Sequence, residues 1–430
     1  MASRDRLPVT LRLYRAITRW AAPLAGLLLK WRLKHGKEDP RRVKERRGIP
    51  SHTRPSGPLI WVHAASVGEF LSVLALLERV RARGIFVLLT SGTVTAAQLA
   101  AQRLPEGALH QFVPLDVPGF VTNFFDHWQP DLAIIAESEF WPNLIIEGRR
   151  RGIPFVLVNA RLSDRSFSRW RLARRTAAAL LSRIDLCLAQ EAEVAERLEH
   201  LGARSVVTTG NLKFDLPPPP AEPLQLSALE RAMRNRPIVL AASTHPGEEA
   251  IVIDAHLRIR RIVPSLLTII VPRHPERGGQ VVELAEQMGA VPVMRSRGHM
   301  PDRGTEIYVA DTIGELGLFY RLAPIVFVGG SLVRHGGQNP IEPAKLDRAI
   351  LHGPHVGNFA AVYAQLNRNR GAATVTDAES LAKSIALLLD DAELVRSMAA
   401  SARSTVEKLG GALDRTVAAI EPYLVQLRLR

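Results

Sequence analysis

The chain has 430 residues, 47% hydrophobic and 23% charged, which suits two or three globular domains and excludes a disordered or fibrous polymer. It holds one cysteine, Cys187, so neither an internal disulfide nor a cysteine-based metal site can form; a buried core thiol and a reducing compartment are expected. Residues 1–50 hold 14 Lys and Arg against 4 Asp and Glu, a net +10, leaving only +4 for the other 380, a balance in the body that speaks against a nucleic-acid binder.

In chain order, the basic segment comes first. In "LRLYRAITRWAAPLAGLLLKWRLK", Leu13, Ile17, Trp20, Leu24, Leu27 and Leu28 recur at helical spacing, with Arg12, Arg15 and Arg19 on another side. The longest uncharged stretch, Trp20 to Leu29, is ten residues and contains Pro23. A simple span needs about 20 apolar residues, so the pattern predicts a helix lying in a membrane interface, with Trp20 and Trp31 at headgroup level. A signal peptide is disfavoured, because Lys30, Arg32 and Lys34 follow at once with no small-residue cleavage site. An amphipathic helix docked on the body is the plainer alternative.

Strand-length apolar runs, each followed by a helical pattern, then occupy "LIWVH" (59–63), 85–92, 132–138, 155–160, 185–190 and 205–211. Val, Ile and Leu without alternation read as strands buried on both faces, hence a parallel sheet. "LPPPPAEPLQ", Leu216 to Gln225, has five prolines in ten residues and reads as an interdomain linker that holds neither helix nor central strand. A second series follows at 237–244, 266–274, 306–311, 324–331, 349–353 and 372–377, and the tail is helical. The fold class is therefore α/β with two doubly wound domains. The expected divisions are a membrane-anchoring segment at 1–50, a first domain at 51–215, a linker at 216–230, a second domain at 231–410 and a last helix at 411–430. Ligands of such folds bind beyond the C-terminal strand ends.

The loops placed there carry the chemistry. "HAASVGEF" sets Glu69 in the first turn of a helix, either complementing its dipole or serving as a general base. "AESEFWPN" puts Glu137 and Glu139 two apart; if the strand continued they would face opposite sides. "GNLKFD" supplies Lys213 for a developing anion. In "VPRHPERG", Arg273 is either a fork for phosphate or carboxylate or part of a surface cluster. "VGGSLVRHGGQNPIEP" has glycines that allow a tight turn, Asn339 as an N-cap, Pro340 as first helical residue, free N–H groups suited to a phosphate, and Glu342 placed to accept from a ribose. No D-x-D or H-E-x-x-H is present, so no metal dependence is expected.

Taken together, "HAASVGE", "AESEFWPN", "NARLSDRSF", "GNLKFD", "ASTHPGEE", "VPRHPERG", "FVGGSLV" and "GGQNPIEP", in order over roughly residues 57–360, resemble the 3-deoxy-D-manno-octulosonic acid (Kdo) transferases of lipopolysaccharide biosynthesis. The resemblance implies a GT-B glycosyltransferase fold of two Rossmann-like domains facing across a cleft, the first for acceptor and the second for donor. The last helix is expected to return to the first domain. It implies an inverting, metal-independent transfer of Kdo from CMP-Kdo to a lipid A precursor of the lipid IVA type. No cofactor is expected beyond the donor substrate. The partners would be CMP-Kdo, the lipid A precursor and the anionic inner-membrane surface, with a monotopic or peripheral location on its cytoplasmic face. By the same resemblance Glu69 is the proton acceptor, and Glu137 and Lys213 stabilise the transition state. Pro272, Arg273, Ile313, Gly314, Glu315, Asn339, Pro340, Ile341 and Glu342 bind the CMP moiety. Lys345 and Asp347 depart from the apolar helix expected after them. The rival readings are a UDP-sugar transferase or epimerase of the same fold and a basic, non-enzymatic membrane-surface protein.

Overall fold

The computed structural model describes residues 7–428. It divides into two compact units, one formed by Met1–Leu216 with Gly410–Arg430 and the other by Pro217–Leu409.

In the first unit seven parallel strands, β1 (Leu59–His63), β2 (Phe86–Ser91), β3 (Ala108–Phe112), β4 (Leu132–Ala136), β5 (Phe155–Ala160), β6 (Leu186–Ala189) and β7 (Val206–Thr208), lie in the order β3-β2-β1-β4-β5-β6-β7. Side chains of β1 alternate between two cores: Leu59 and Trp61 join Phe124, Phe125 and Phe155 on one face, while Ile60 and Val62 join Phe70, Val73 and Leu77 on the other. Both faces are dry, which is why β1 reads as a continuous apolar run. The last helix, Ala412–Arg428, buries Ile420, Leu424 and Leu427 in the second of these cores. Asp215 fixes its start by accepting from the N–H groups of Gly411 and Leu413, each at 2.6 Å.

The second unit repeats the plan with β8 (Ile238–Thr244), β9 (Leu267–Pro272), β10 (Pro292–Met294), β11 (Ile307–Val309), β12 (Ile325–Val328), β13 (Ala349–His352) and β14 (Ala372–Thr374), in the order β10-β11-β9-β8-β12-β13-β14. In each sheet the chain starts centrally, winds to one edge and returns to the other side. The order therefore reverses between β1 and β4, and again between β8 and β12.

The structure differs from the sequence reading at four places. The edge strands β3 and β10 were not anticipated. β3 carries His110, bonded to Ser91 Oγ at 2.9 Å, and Gln111, whose Oε1 accepts from the Trp128 indole N–H at 2.8 Å, so no apolar run advertises it. The proline-rich stretch does hold a helix: Pro223 opens Pro223–Ala232, where its missing N–H costs nothing and Glu222 accepts from the next two N–H groups. The N-terminal segment is two helices, α1 (Val9–Trp20) and α2 (Ala25–Lys34), separated by a short 3-10 turn at Ala22–Leu24 that contains Pro23. The helix after Pro340 is only Ile341–Lys345, and Asp347 beyond it adopts a left-handed φ of 58°, so Lys345 and Asp347 end the helix and do not interrupt an apolar one.

α1 docks on the unit through Leu11, which meets Ile146 and Leu180, and through Tyr14, whose hydroxyl donates to Asp116 at 2.9 Å. Leu13, Ile17, Trp20, Leu24, Leu27, Leu28 and Trp31 stay exposed. Among the described residues no helix is long and apolar enough to cross a membrane.

Candidate active site

β1 and β4 flank the reversal point of the first sheet, and the loops that follow them bring the carboxylates together. After β1, Ser66 caps the helix α3 (Val67–Arg81), and Glu69 is the third residue of that helix, the S-x-x-E pattern of a capping box. Ser66 Oγ accepts from the Glu69 N–H at 3.4 Å and donates to Glu69 Oε1 at 2.9 Å; the Ala65 N–H donates to Oε2 at 2.8 Å. A capping carboxylate held in this way ordinarily titrates low. Here burial outweighs those bonds, the charges of Glu139 and Glu137 add to it, and the Glu69 carboxyl is pushed up to about 7. Glu69 is thus a helix cap and also a carboxylate poised near neutral pH, as a general base must be. Gly68 before it is exposed, and a Cβ there would meet open space, so neither sterics nor a left-handed backbone requires glycine.

The strand conformation does not continue past Ala136. Glu137 takes a left-handed φ of 56°, with its N–H bound to the Val158 carbonyl at 2.9 Å, so Glu137 and Glu139 do not alternate across an extended chain. Glu137 Oε1 accepts from Lys213 Nζ at 2.7 Å. Lys213 sits in a 3-10 turn, Leu212–Phe214, whose first N–H groups are taken by the Asn159 and Asn211 side chains, both at 3.0 Å. Glu139 accepts from the Trp141 indole N–H at 2.8 Å, and burial with the nearby Glu137 charge raises its pKa. His63 Nε2 lies 4.0 Å from the same Glu139 oxygen. Burial depresses this histidine to about 4, so the pair is a neutral imidazole beside a carboxyl group and not a salt bridge. The structure therefore joins the three residues assigned from sequence, and adds Glu139 and His63. The S-x-x-E spacing and the His at the end of β1 were the available signals; the turn at Glu137 was not.

In the second unit the loops after β8 and β12 flank the reversal point. Free N–H groups were expected at the start of the helix after Pro340; the N–H groups of the glycine-rich turn ahead of it are already occupied. Glu248, fully buried, accepts from the N–H groups of Gly330 (2.6 Å), Ser331 (2.9 Å), Leu332 (2.9 Å) and His245 (2.9 Å), so this anion-binding nest is filled by the chain's own carboxylate. The Ile341 N–H is likewise taken, by Asn339 Oδ1 at 3.0 Å. What remains facing out is cationic or aromatic. Arg273 is exposed, and among the described residues its side chain makes no hydrogen bond or ion pair. It lies near His245, which also neighbours His274, His335 and Arg277, with the His245 and His335 rings 3.8 Å apart.

The other residues assigned to the donor divide in two. Pro272, Pro340 and Ile341 are buried and shape the loops. Ile313 is 86% exposed, and Gly314 has a φ of 84° that favours glycine. Glu315 is bound by Arg295 through two contacts of 2.5 Å and by the Thr312 hydroxyl, and Arg295 holds its carboxyl below the usual range. Arg295, Gln225 and Met300 line the depression beside Ile313; the sequence reading missed them because they follow short, unpatterned segments. Glu342 accepts from Asn339 at 3.2 Å, and burial raises its pKa. Among the described residues no group of three or more His, Cys, Asp or Glu side chains could hold a metal ion.

Two units, each a seven-stranded parallel sheet wound about a central strand, make this an α/β protein of the GT-B class. A putative UDP-N-acetylglucosamine 2-epimerase from Listeria monocytogenes superposes with a TM-score of 0.60 over 86% of this chain and 98% of that one; at 14% identity the likeness concerns the fold alone. The family model for 3-deoxy-D-manno-octulosonic-acid transferase matches residues 41–216, the stretch that contains Glu69, Glu137 and Lys213. The 3-deoxy-D-manno-octulosonic acid transferase of Rickettsia bellii is 32% identical over 88% of this chain and 91% of its own length. The probable mitochondrial 3-deoxy-D-manno-octulosonic acid transferase of Arabidopsis thaliana is 35% identical over 94% and 93%. The chain belongs to the 3-deoxy-D-manno-octulosonic acid transferase family, and is therefore a glycosyltransferase.

Proposed function

We propose that this enzyme moves Kdo from CMP-Kdo to a sugar hydroxyl of a lipid A precursor of the lipid IVA type. The observation that carries the proposal is the Glu69 carboxyl, half-buried near two further carboxylates and raised to about 7. Each Glu69 oxygen accepts one hydrogen bond from the chain, leaving a lone pair on each for a substrate proton. In the reaction Glu69 removes the proton of the acceptor hydroxyl as its oxygen bonds to the anomeric carbon of Kdo. The bond from that carbon to the CMP phosphate breaks, and CMP leaves with the electron pair. Lys213, held at Glu137, places a positive charge at the site where negative charge develops. Arg273 and Glu342 engage the nucleotide, the first through its exposed guanidinium and the second by accepting from ribose hydroxyls.

The exposed apolar side chains of α1 and α2, interspersed with Arg12, Arg15, Arg19 and Lys30, suit the surface of an anionic inner membrane, where the lipid acceptor resides. The test is incubation with a CMP-Kdo regenerating mixture and a lipid A precursor, followed by mass spectrometry of the lipid. A mass gain of one or more Kdo units is expected. An unmodified lipid, together with binding of UDP in place of CMP, would favour a UDP-sugar enzyme of the same fold.

A further inference from the structure

The hydrogen bonds that hold Glu69 extend beyond its own helix. Glu69 Oε2 accepts from the Ala65 N–H, and the Ala65 carbonyl accepts from the Gly92 N–H at 2.9 Å. The Gly92 carbonyl accepts from the Arg46 guanidinium at 2.6 Å. Arg46 Nε donates to Glu38 Oε2 at 2.9 Å, and the other Glu38 oxygen accepts from Arg32 Nε at 2.6 Å. Arg32 lies in the last turn of α2. An unbroken line of hydrogen bonds thus runs from the basic N-terminal helices to the carboxylate.

Each link is constrained. Arg46 is 3% exposed, lies over the Phe112 ring at 4.7 Å, and donates a further bond to the Val113 carbonyl at 3.1 Å. Its planar fork meets Glu38, Gly92 and Val113 at once, which a lysine cannot reproduce. Glu38 is 4% exposed. At Gly92 a Cβ would lie 3.1 Å from the Ala65 carbonyl oxygen, so glycine allows the close approach of the two loops. A buried ion pair of this kind adds little net stability, because desolvation offsets its attraction; what it secures is position.

We infer that Arg46 is a positioning residue for the Glu69 carboxylate, and that Glu38, shared by Arg46 and Arg32, ties the N-terminal helices to it. The inference rests on the reading of Glu69 as the base. The groups facing Glu69 are Glu137 and Glu139 from the loop after β4, Lys213 through Glu137, and neutral His63 from β1 beside Glu139. The Ala65 bond favours the ionised carboxylate, so loosening it moves the titration of Glu69 upward.

The test compares wild type, Arg46→Lys and Glu38→Gln by amide hydrogen exchange and by the pH dependence of kcat. In Arg46→Lys the Ala65 and Gly92 amides should exchange at least about tenfold faster. The acid limb of kcat should rise by roughly half a pH unit or more, with the KM for CMP-Kdo unchanged. Glu38→Gln keeps the shape and should shift both readouts in the same direction by less; it carries the test if Arg46→Lys does not fold. Unchanged exchange and an unmoved limb in the folded variants, or a lowered melting temperature with the limb unmoved, would overturn the inference and leave a plain structural anchor. A limb that persists in Glu69→Gln would instead refute Glu69 as the base, and the link would then be judged by exchange alone.

Discussion

At the reversal point between β1 and β4, Glu69 and Glu139 are raised by burial and by neighbouring carboxylates, with one lysine among them. At the corresponding point between β8 and β12, Glu248 is satisfied by four backbone N–H groups and Glu249 by Arg277 at 2.6 Å, while the exposed Arg273 side chain has no partner among the described residues. The same winding of a parallel sheet has been equipped in opposite ways. Carboxylates kept short of compensation are suited to exchange protons; carboxylates fully compensated are structural, and the exposed Arg273 near them suits an anionic ligand. Glu342 differs from these compensated carboxylates in the second unit: it accepts from Asn339 and burial raises its pKa.

The comparison is broken most severely at Glu69. Glu69→Gln keeps the cap but cannot accept a proton, so single-turnover transfer at pH 7.5 should fall by at least ~10²-fold, while CMP affinity by calorimetry stays unchanged. Stability supplies a second sign. A carboxyl whose folded pKa lies above its unfolded value binds more protons when folded, so its ionisation erodes stability as pH rises from about 4.5 to about 7. Melting curves of Glu69→Gln should lose that part of the decline.

A smaller effect is expected at Lys213. Lys213→Met removes the cation and leaves Glu137 unpaired beside the other carboxylates, so turnover should fall roughly ten- to a hundredfold at saturating donor. Equal turnover would remove Lys213 from the chemistry. In the second unit Arg273→Ala should weaken CMP binding by about tenfold, the worth of one charge-assisted hydrogen bond, with the pH limb of turnover unmoved. Calorimetric titration checks this, and an altered limb with intact affinity would invert the division of labour.

The smallest effects concern surfaces. Ile17→Glu with Trp20→Glu should reduce co-sedimentation with anionic vesicles several-fold without a change in melting temperature, since both side chains are exposed and Leu11 keeps α1 docked.

Much of this arrangement was legible in the sequence because both sheets are parallel and buried on two faces, so most of their strands read as apolar runs. The loops after those runs then held the candidate residues. What escaped depends on specific partners. β3 is disguised by His110 and Gln111, whose hydrogen bonds to Ser91 on β2 and to Trp128 no local pattern announces. The filling of the glycine-rich nest by Glu248 joins residues more than eighty positions apart. Glu139 entered the first site because Glu137 turned left-handed, a backbone choice that no side-chain pattern encodes.

The most direct measurement of the central claim is the pH dependence of single-turnover transfer in wild type and Glu139→Gln. Turnover should rise with pH through a limb near 7, the pKa of the Glu69 carboxyl, and the limb should move to lower pH in Glu139→Gln, because a like charge that opposes ionisation has been removed. A profile flat from pH 5 to 9, or a limb that Glu139→Gln leaves in place, would contradict the assignment of the proton transfer to this cluster.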